Sequence, residues 1–305
     1  MFSLNAPDET WLLDREPLTF PAPDLKDFRV LVTGASGFIG QIVTSKLISL
    51  GASVAPVDIE PGGNQADILS DQWVRTIKET DSIDAAIHLA AHKYATSAES
   101  MPAEIADLNI RGTQNIADAI DGPVVLASTC KAADPCTAYG ASKLIAERVI
   151  LNHPYGVAIR LVNVLGSTGS VLEMWRAIPE NEPLPVVSAC QRMWITPHEA
   201  ADMLIYGLDL PKGVYGPNVP DALPVARLAE RAFPGRQVVN EPLRRGDRVR
   251  ERLVGEGELS EPLPDSSLIQ IWNQWEGSER PVELVALGGI GETHFSSLQR
   301  GISDV

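Results

Sequence analysis

The sequence predicts an α/β fold, a doubly wound parallel sheet covered on both faces and followed by a small C-terminal lobe. Three observations carry that expectation. Short apolar runs alternate with segments apolar at helical spacing between residues 28 and 162. The first run is followed by closely spaced glycines, and the second ends on an acid. The elements follow in order. Residues 1–27, with Pro7, Pro17, Pro21 and Pro23 among scattered acids, read as an arm that folds onto the body or stays mobile. Residues 29–33 read as a strand, the glycines as a turn, and the segment from Phe38 as a helix. Strands are expected at 53–58, at Asp67 and Ile68, at 85–89, 124–128 and 157–162, with helices at 105–120 and 138–151. After Val164 prolines and glycines rise in number, and short helical patterns appear at 198–208 and 224–232. Three units are therefore expected: an arm (1–27), the sheet domain (28–163) and a smaller, irregular lobe with a tail (164–305).

Composition narrows the class. The chain has 305 residues, ample for a buried core, and 44% hydrophobic against 21% charged residues is ordinary for a globular protein. Lys and Arg number 25 against 40 Asp and Glu, a net charge of −15 that repels nucleic acid and anionic membranes. Three cysteines, Cys130, Cys136 and Cys190, make no CxxC pair and no even disulfide set, so they read as reduced thiols. No apolar run is long enough to span a membrane and the first 27 residues lack a basic signal region, so a soluble cytoplasmic protein is expected.

Two constellations carry chemistry. Gly34, Gly37 and Gly40 lie between a strand and a helix, where bare glycines let backbone amides approach a pyrophosphate at a positive helix terminus. Asp58 closes the next strand, where a carboxylate can accept hydrogen bonds from an adenosine ribose. Together they predict a Rossmann-type dinucleotide site. With Ile59 and Glu60 following and no adjacent Arg, a 2′-phosphate would be repelled, which favours NAD over NADP. Asp67 and Ile68 either flank the adenine or start a turn. In the second constellation, Tyr139 and Lys143 stand one helical turn apart. A nearby cation favours the phenolate and lets tyrosine act as an acid/base. The pair opens a helix after a strand ending in Ser128-Thr129, at the sheet edge where ligands of open α/β folds bind.

Six ordered segments then resemble the extended short-chain dehydrogenase/reductases, and within them the nucleotide-sugar dehydratases and epimerases of polysaccharide biosynthesis. These are His88-Leu-Ala-Ala-His-Lys93 with Glu99, Asn109-Ile-Arg-Gly-Thr113, Ser128-Thr-Cys-Lys-Ala132, Arg160 to Ser170, Arg192 to Thr196 with Glu199-Ala200, and Arg244 to Glu251. The resemblance implies an NAD-dependent dehydratase acting on a UDP-N-acetylglucosamine-like nucleoside-diphosphate sugar through a 4-keto intermediate, by 4,6- or 5,6-elimination. Two alternatives stand beside it: an epimerase using the same residues, and a non-catalytic NAD-binding regulatory protein. The implied catalytic residues are Thr129, Cys130, Lys131, Tyr139 and Lys143. Tyr139 would take a hydroxyl proton, Lys143 tune the phenol, Thr129 hold the hydroxyl, and Lys131 remove a proton from carbon as a neutral amine of depressed pKa. The cofactor set is Gly34, Ser36, Gly37, Phe38, Ile39, Gly40, Asp58, Asp67, Ile68, Leu89, Ala90 and Ala91, with Tyr139 and Lys143. Substrate candidates are Lys93, Asn163, Arg192, Arg244 and Arg248, the arginines because guanidinium forks match phosphate oxygens. Homo-oligomerisation is common in the resembling family.

The sequence departs from that pattern at Cys130, where the family has an aspartate, so Cys130 reads either as a proton donor or as a packing replacement. Thr168 replaces an arginine and Arg245 a proline. Lys93 either reaches substrate or braces Glu99. His88 and His92 lack a third ligand, so no metal is expected. The glycines at 288–291 read as a loop, and Trp272 and Trp275 as one packing face of a helix.

Overall fold

A computed structural model describes residues 10–60, 64–79, 82–93, 98–219, 222–243 and 247–274. Strand β1 (Arg29–Thr33) buries Val30, Leu31, Val32 and Thr33 completely, as a strand covered on both faces requires. Helix α1 (Phe38–Ser49), β2 (Ser53–Asp58), β3 (Asn64–Gln65), α2 (Asp71–Glu79) and β4 (Ala85–His88) follow. Next come α3 (Pro102–Ala106), a π turn (Asp107–Arg111), α4 (Gly112–Ala119), β5 (Val124–Thr129), α5 (Ala138–Ile150) and β6 (Gly156–Leu161). Beyond these, β7 (Asn163–Val164), α6 (Val171–Arg176), β8 (Leu184–Val186), β9 (Gln191–Arg192), β10 (Trp194–Ile195), α7 (Pro197–Tyr206) and β11 (Gly213–Pro217) appear. The chain continues through β12 (Leu223–Pro224), α8 (Val225–Ala232), β13 (Val238–Asn240), β14 (Glu258–Pro262) and β15 (Leu268–Asn273).

The main sheet has nine strands in the order β14-β15-β11-β6-β5-β4-β1-β2-β3. From β3 to β11 all neighbours are parallel, while β15 and β14 are added antiparallel. This is a Rossmann-type sheet whose order reverses between β1 and β4, which opens a crevice at the carboxyl ends of those strands. Helices α1 and α7 pack together, and α4 packs with α2 and α5. Among the described residues no helix is long and apolar enough to cross a membrane.

After residue 164 the chain divides its elements between two bodies. β11, β14 and β15 extend the main sheet, while β8, β13, α6 and α8 surround a second core of Leu172, Trp175, Leu184, Val186, Trp194 and Leu228. The arm joins them. Leu12 is buried in the second core and Leu25 in the main one. Between these anchors the Arg15 guanidinium donates two 2.8 Å bonds to the Glu199 carboxylate, and Thr19 and Ser267 exchange two 3.0 Å bonds. Glu199 also completes a capping box with Thr196 ahead of Pro197, which fixes the start of α7.

Three expected elements differ. The helix expected over 105–120 is interrupted by the π turn, which carries the fully buried Asn109. The third strand ends at Gln65, so Asp67 and Ile68 lie in the turn beyond it. The segment around Trp272 is strand β15 and not a helix, since its backbone pairs antiparallel with β11 on one side and β14 on the other. Trp275 and Gly288 to Gly291 lie outside the described residues.

Candidate active site

The glycine turn is a cradle that side chains would fill. Gly34 has φ +71°, and a Cβ there would stand 2.8 Å from Ala90 N and 3.0 Å from the Leu89 carbonyl carbon. A Cβ on Gly40 would overlap the Gly34 carbonyl oxygen and approach Ala35 Cα at 2.8 Å. The first turn of α1, which holds Phe38 and Ile39, has no side-chain cap from Gly37. The residues from Leu89 to Ala91 run beside the cradle. Asp58 reaches it from β2: Oδ2 accepts from Ser36 N at 3.0 Å and Oδ1 from Glu60 N at 3.2 Å. Partial burial raises the Asp58 pKa, but hydrogen bonds from Ser36, Glu60 and Ile59 outweigh it and hold the carboxyl below its ordinary value. Uncapped amides, a left-handed glycine and an ionised acid at the reversal of strand order fit a dinucleotide. Asp67 Oδ1 accepts from Leu69 N at 2.8 Å, and Ile68 is buried with its Cδ1 against Gly112.

A buried chain of hydrogen bonds ties this cradle to α5. Thr113 Oγ1 donates to the Asn109 carbonyl at 2.7 Å, so at 3.2 Å it must accept from His88 Nε2. His88 Nδ1 then accepts from Thr33 Oγ1 at 2.7 Å. Burial, aided by the charge of Lys143, drives His88 down to about 3, so the ring is neutral and the histidine is a structural bridge. The Asn109 side chain takes His92 N at 2.8 Å and gives to Ser142 Oγ at 2.9 Å, which itself donates to Tyr139 O at 2.8 Å. Glu99 accepts from Ala138 N at 2.7 Å at the N-terminus of α5. Glu99 thus steadies the helix that presents Tyr139, while Lys93 donates to Thr168 O at 3.2 Å across the cleft.

Thr129, Cys130 and Lys131 end β5 and turn toward Tyr139. Thr129 shares a hydrogen bond with Tyr139, yet burial dominates and pushes the phenol above its ordinary value; the cation acting on it is Lys131. Lys143 is buried one turn further on, where burial drives it down to about 8 against the pull of Glu147. The sequence expectation of a free amine at Lys131 is not met. Its Nζ stands 2.8 Å from Glu251 Oε1, and although burial lowers its pKa, the charge and hydrogen bond of Glu251 raise it above that of ordinary lysine. Lys131 is therefore an ammonium in this state.

Glu251 is the residue that sequence reasoning undervalued, since it was read only as the end of the Arg244 segment. It is buried at the centre of the cluster. Its Oε2 accepts from Asn163 Nδ2 at 2.9 Å and from the Cys130 thiol at 3.5 Å, and Arg192 Nε is 3.6 Å from Oε1. Burial raises its pKa, but Lys131, Arg192 and the hydrogen bonds from Lys131 and Asn163 prevail and hold it at about 2. Burial and the Glu251 charge push the Cys130 thiol up to about 12, so it is protonated. The loop bearing Glu251 is clamped from below: Arg160 donates to Leu253 O at 3.0 Å and pairs with both Glu147 and Glu258, all within β6, α5 and β14. Three arginines flanking Glu251 in sequence were the available signal for a partnered acid.

The substrate candidates divide. Asn163 and Arg192 join the Glu251 cluster, and Arg192 also donates to Gln191 O and Arg248 O at 2.9 and 2.8 Å. Arg192 thus braces the wall of this cleft. Arg248 lines the same cleft with Cys130, Lys131, Asp134 and Arg252, donating to Asp134 O and, at 3.2 Å, to Cys136 Sγ. Arg244 lies outside the described residues.

The polysaccharide biosynthesis protein family matches residues 63–269. The probable polysaccharide biosynthesis protein EpsC of Bacillus subtilis is 32% identical over 238 residues, which cover 66% of this chain and 40% of that protein. A UDP-N-acetylglucosamine 4,6-dehydratase (inverting) of Campylobacter jejuni is 28% identical over 189 residues, covering 56% of each. The chain thus spans less than two thirds of the length of these relatives. Among solved structures, Pen from Bacillus thuringiensis superposes with a TM-score of 0.71 at 25% identity, covering 81% of this chain and 90% of Pen.

Proposed function

Since the chain belongs to the polysaccharide biosynthesis protein family, we propose that it is an NAD-dependent dehydratase of a nucleoside-diphosphate hexose resembling UDP-N-acetylglucosamine. The observation that carries this reading is the meeting of Thr129, Cys130 and Lys131 with Tyr139, on a helix tied to β1 and the glycine cradle by the His88–Thr113–Asn109–Ser142 chain. In this reading residues 28–163 hold the cofactor, through the amides of Gly34 to Gly40 and the Asp58 carboxylate, and the later lobe carries most of the sugar-nucleotide contacts. NAD, when bound, supplies a hydride acceptor and later a donor.

The side chains have separable tasks. Tyr139 Oη takes the proton of the hydroxyl being oxidised, with Thr129 holding that hydroxyl in line. The resulting ketone acidifies the neighbouring C–H, and Lys131, next to Cys130 in the chain, exchanges that proton. Cys130, protonated and buried, donates to the departing hydroxyl in the position where the resembling family has a carboxylic acid. Lys93 and Arg248 supply positive charge for the diphosphate.

The test is incubation of the protein in D₂O with UDP-, GDP- and dTDP-sugars, read by mass and proton NMR. Loss of one water from a sugar nucleotide, with deuterium on the carbon next to the ketone, is expected. Deuterium without loss of water would replace the dehydratase by an epimerase, and an unchanged panel would overturn the catalytic reading.

A further inference from the structure

A proton cannot be taken from carbon by a lysine that already carries one, and Lys131 is held as an ammonium 2.8 Å from Glu251. We propose that Lys131 and Glu251 are one acid/base unit, in which a bound sugar drives a proton from Lys131 Nζ to Glu251 Oε1 and so releases the amine that accepts the carbon-bound proton. The inference rests on the dehydratase reading for its reaction, and on geometry for its partner.

The carboxylate is fixed for this transfer. Asn163 and the Cys130 thiol occupy Oε2, while Oε1 faces Nζ at 2.8 Å with Arg192 Nε further off at 3.6 Å, and Arg160 anchors the Glu251 loop through Leu253 O. The Lys131 side chain is 35% exposed, so solvent still supports the separated charges. A sugar covering it removes that support, and in a dry site a charged pair loses its advantage over the neutral amine and acid. The titratable and charged groups facing the pair are Cys130, Asp134 and Cys136 from the turn after β5, Tyr139 from α5, Arg192 from β9, and Arg248 and Arg252 from the Glu251 loop.

The protons balance. An N–H bond of Lys131 breaks as an O–H bond forms on Glu251. The amine lone pair then takes the proton of the C–H bond, whose electrons become the enolate of the adjacent ketone, and Lys131 is an ammonium again. The Cys130 S–H gives its proton to the hydroxyl that leaves as water; the Glu251 acid then turns about its Cγ–Cδ bond, brings the protonated Oε1 to the place Oε2 held 3.5 Å from Sγ, and returns its proton to the thiolate. The site returns to an ammonium, a carboxylate and a thiol.

Two measurements test this. In the NAD-loaded wild-type protein, trace acetic anhydride labelling followed by peptide mass analysis should show Lys131 titrating above ordinary lysine, and Glu251→Gln should bring its titration below the wild-type value. In D₂O, deuterium incorporation into the sugar by wild type should be flat between about pH 6 and 9, because the transfer is internal. Glu251→Gln should make it rise about tenfold per pH unit, since the proton now leaves to solvent, and Glu251→Asp should restore the flat profile. A Glu251→Gln profile as flat as wild type at reduced amplitude would leave Glu251 a merely structural residue and overturn the proposal, as would wild-type Lys131 titrating at or below ordinary lysine. Where no sugar nucleotide reacts with wild type, the dehydratase reading fails, and the labelling still decides the pair.

Discussion

Replacing Gly140 by alanine sets two physical expectations against each other. Gly140 lies in the first turn of α5, its amide bonded to the Thr137 cap, and helix propensity alone gives alanine an advantage of about 0.5–1 kcal/mol there. The packing says otherwise. A Cβ at this position would stand 2.5 Å from the Lys131 carbonyl oxygen and 3.3 Å from Pro135 Cβ. A relaxed C···O contact is about 3.3 Å, so the turn holding Cys130 and Lys131 must withdraw from α5 by roughly 0.8 Å. Backbone stands on both sides, so no flexible side chain can absorb the shift. Reacting groups misplaced by about 1 Å lose on the order of a hundredfold in rate, and Tyr139 and Lys131 sit on the two sides of this contact. Gly140→Ala is therefore expected to lower turnover by about 10- to 100-fold with no gain in melting temperature, and to retain NAD, because the Gly34 cradle lies on other elements. Turnover in D₂O, a thermal melt and cofactor retention measured on the same sample check it. An alanine variant with wild-type turnover and a raised melting temperature would refute the packing argument.

Other outcomes follow from the same contacts. Cys130→Ser should slow elimination by about a hundredfold or more while sugar-nucleotide binding persists; unchanged turnover would remove the thiol from the mechanism. His88 is neutral in the fold, with a pKa of about 3 against 6.5 unfolded. The unfolded chain therefore binds the extra proton, so the His88 contribution is complete above the unfolded pKa and fades as pH falls from about 6.5 toward 3, by about 1.4 kcal/mol per unit. A His88→Asn variant should show a flatter stability profile in denaturant titrations at pH 4 to 7, and an identical slope would contradict the neutral ring. Glu258→Ala leaves Arg160 with a single carboxylate in a fully buried site, and should cost about 3 kcal/mol in urea unfolding. A midpoint equal to wild type would mean that Arg160 finds a substitute partner.

What was legible in the sequence is what depends on near neighbours. The run Val30 to Thr33, the obligatory bare Gly34 and the helix from Phe38 announce themselves because burial on two faces and a positive φ restrict the residue types locally. The spacing of Tyr139 and Lys143 likewise needs only a helix. The π turn at Asn109 was hidden, because its cause is remote: the amide must reach His92 and Ser142 at once. β15 was hidden because a short apolar run fits either period, and the neighbours that decide it, β11 and β14, lie far away in sequence. The charge state of Lys131 was misjudged for a related reason. Burial alone argues for a neutral amine, and only the fold brings Glu251 within 2.8 Å to reverse the sign.

The arm that runs from Leu12 to Leu25 crosses from one core to the other, with the Arg15 fork on Glu199 between its anchors. A chain with two cores normally takes up a ligand that touches both only after paying the orientational entropy of fixing them. Here a covalent belt meets that cost during folding, before any ligand arrives. Binding should then be nearly rigid-body, with a heat-capacity change matching the ligand's own buried area and no added ordering term. Cutting Arg15 loose from Glu199 would shift that cost back onto the ligand, so an Arg15→Ala protein would bind the sugar nucleotide proposed above more weakly, through a less favourable entropy.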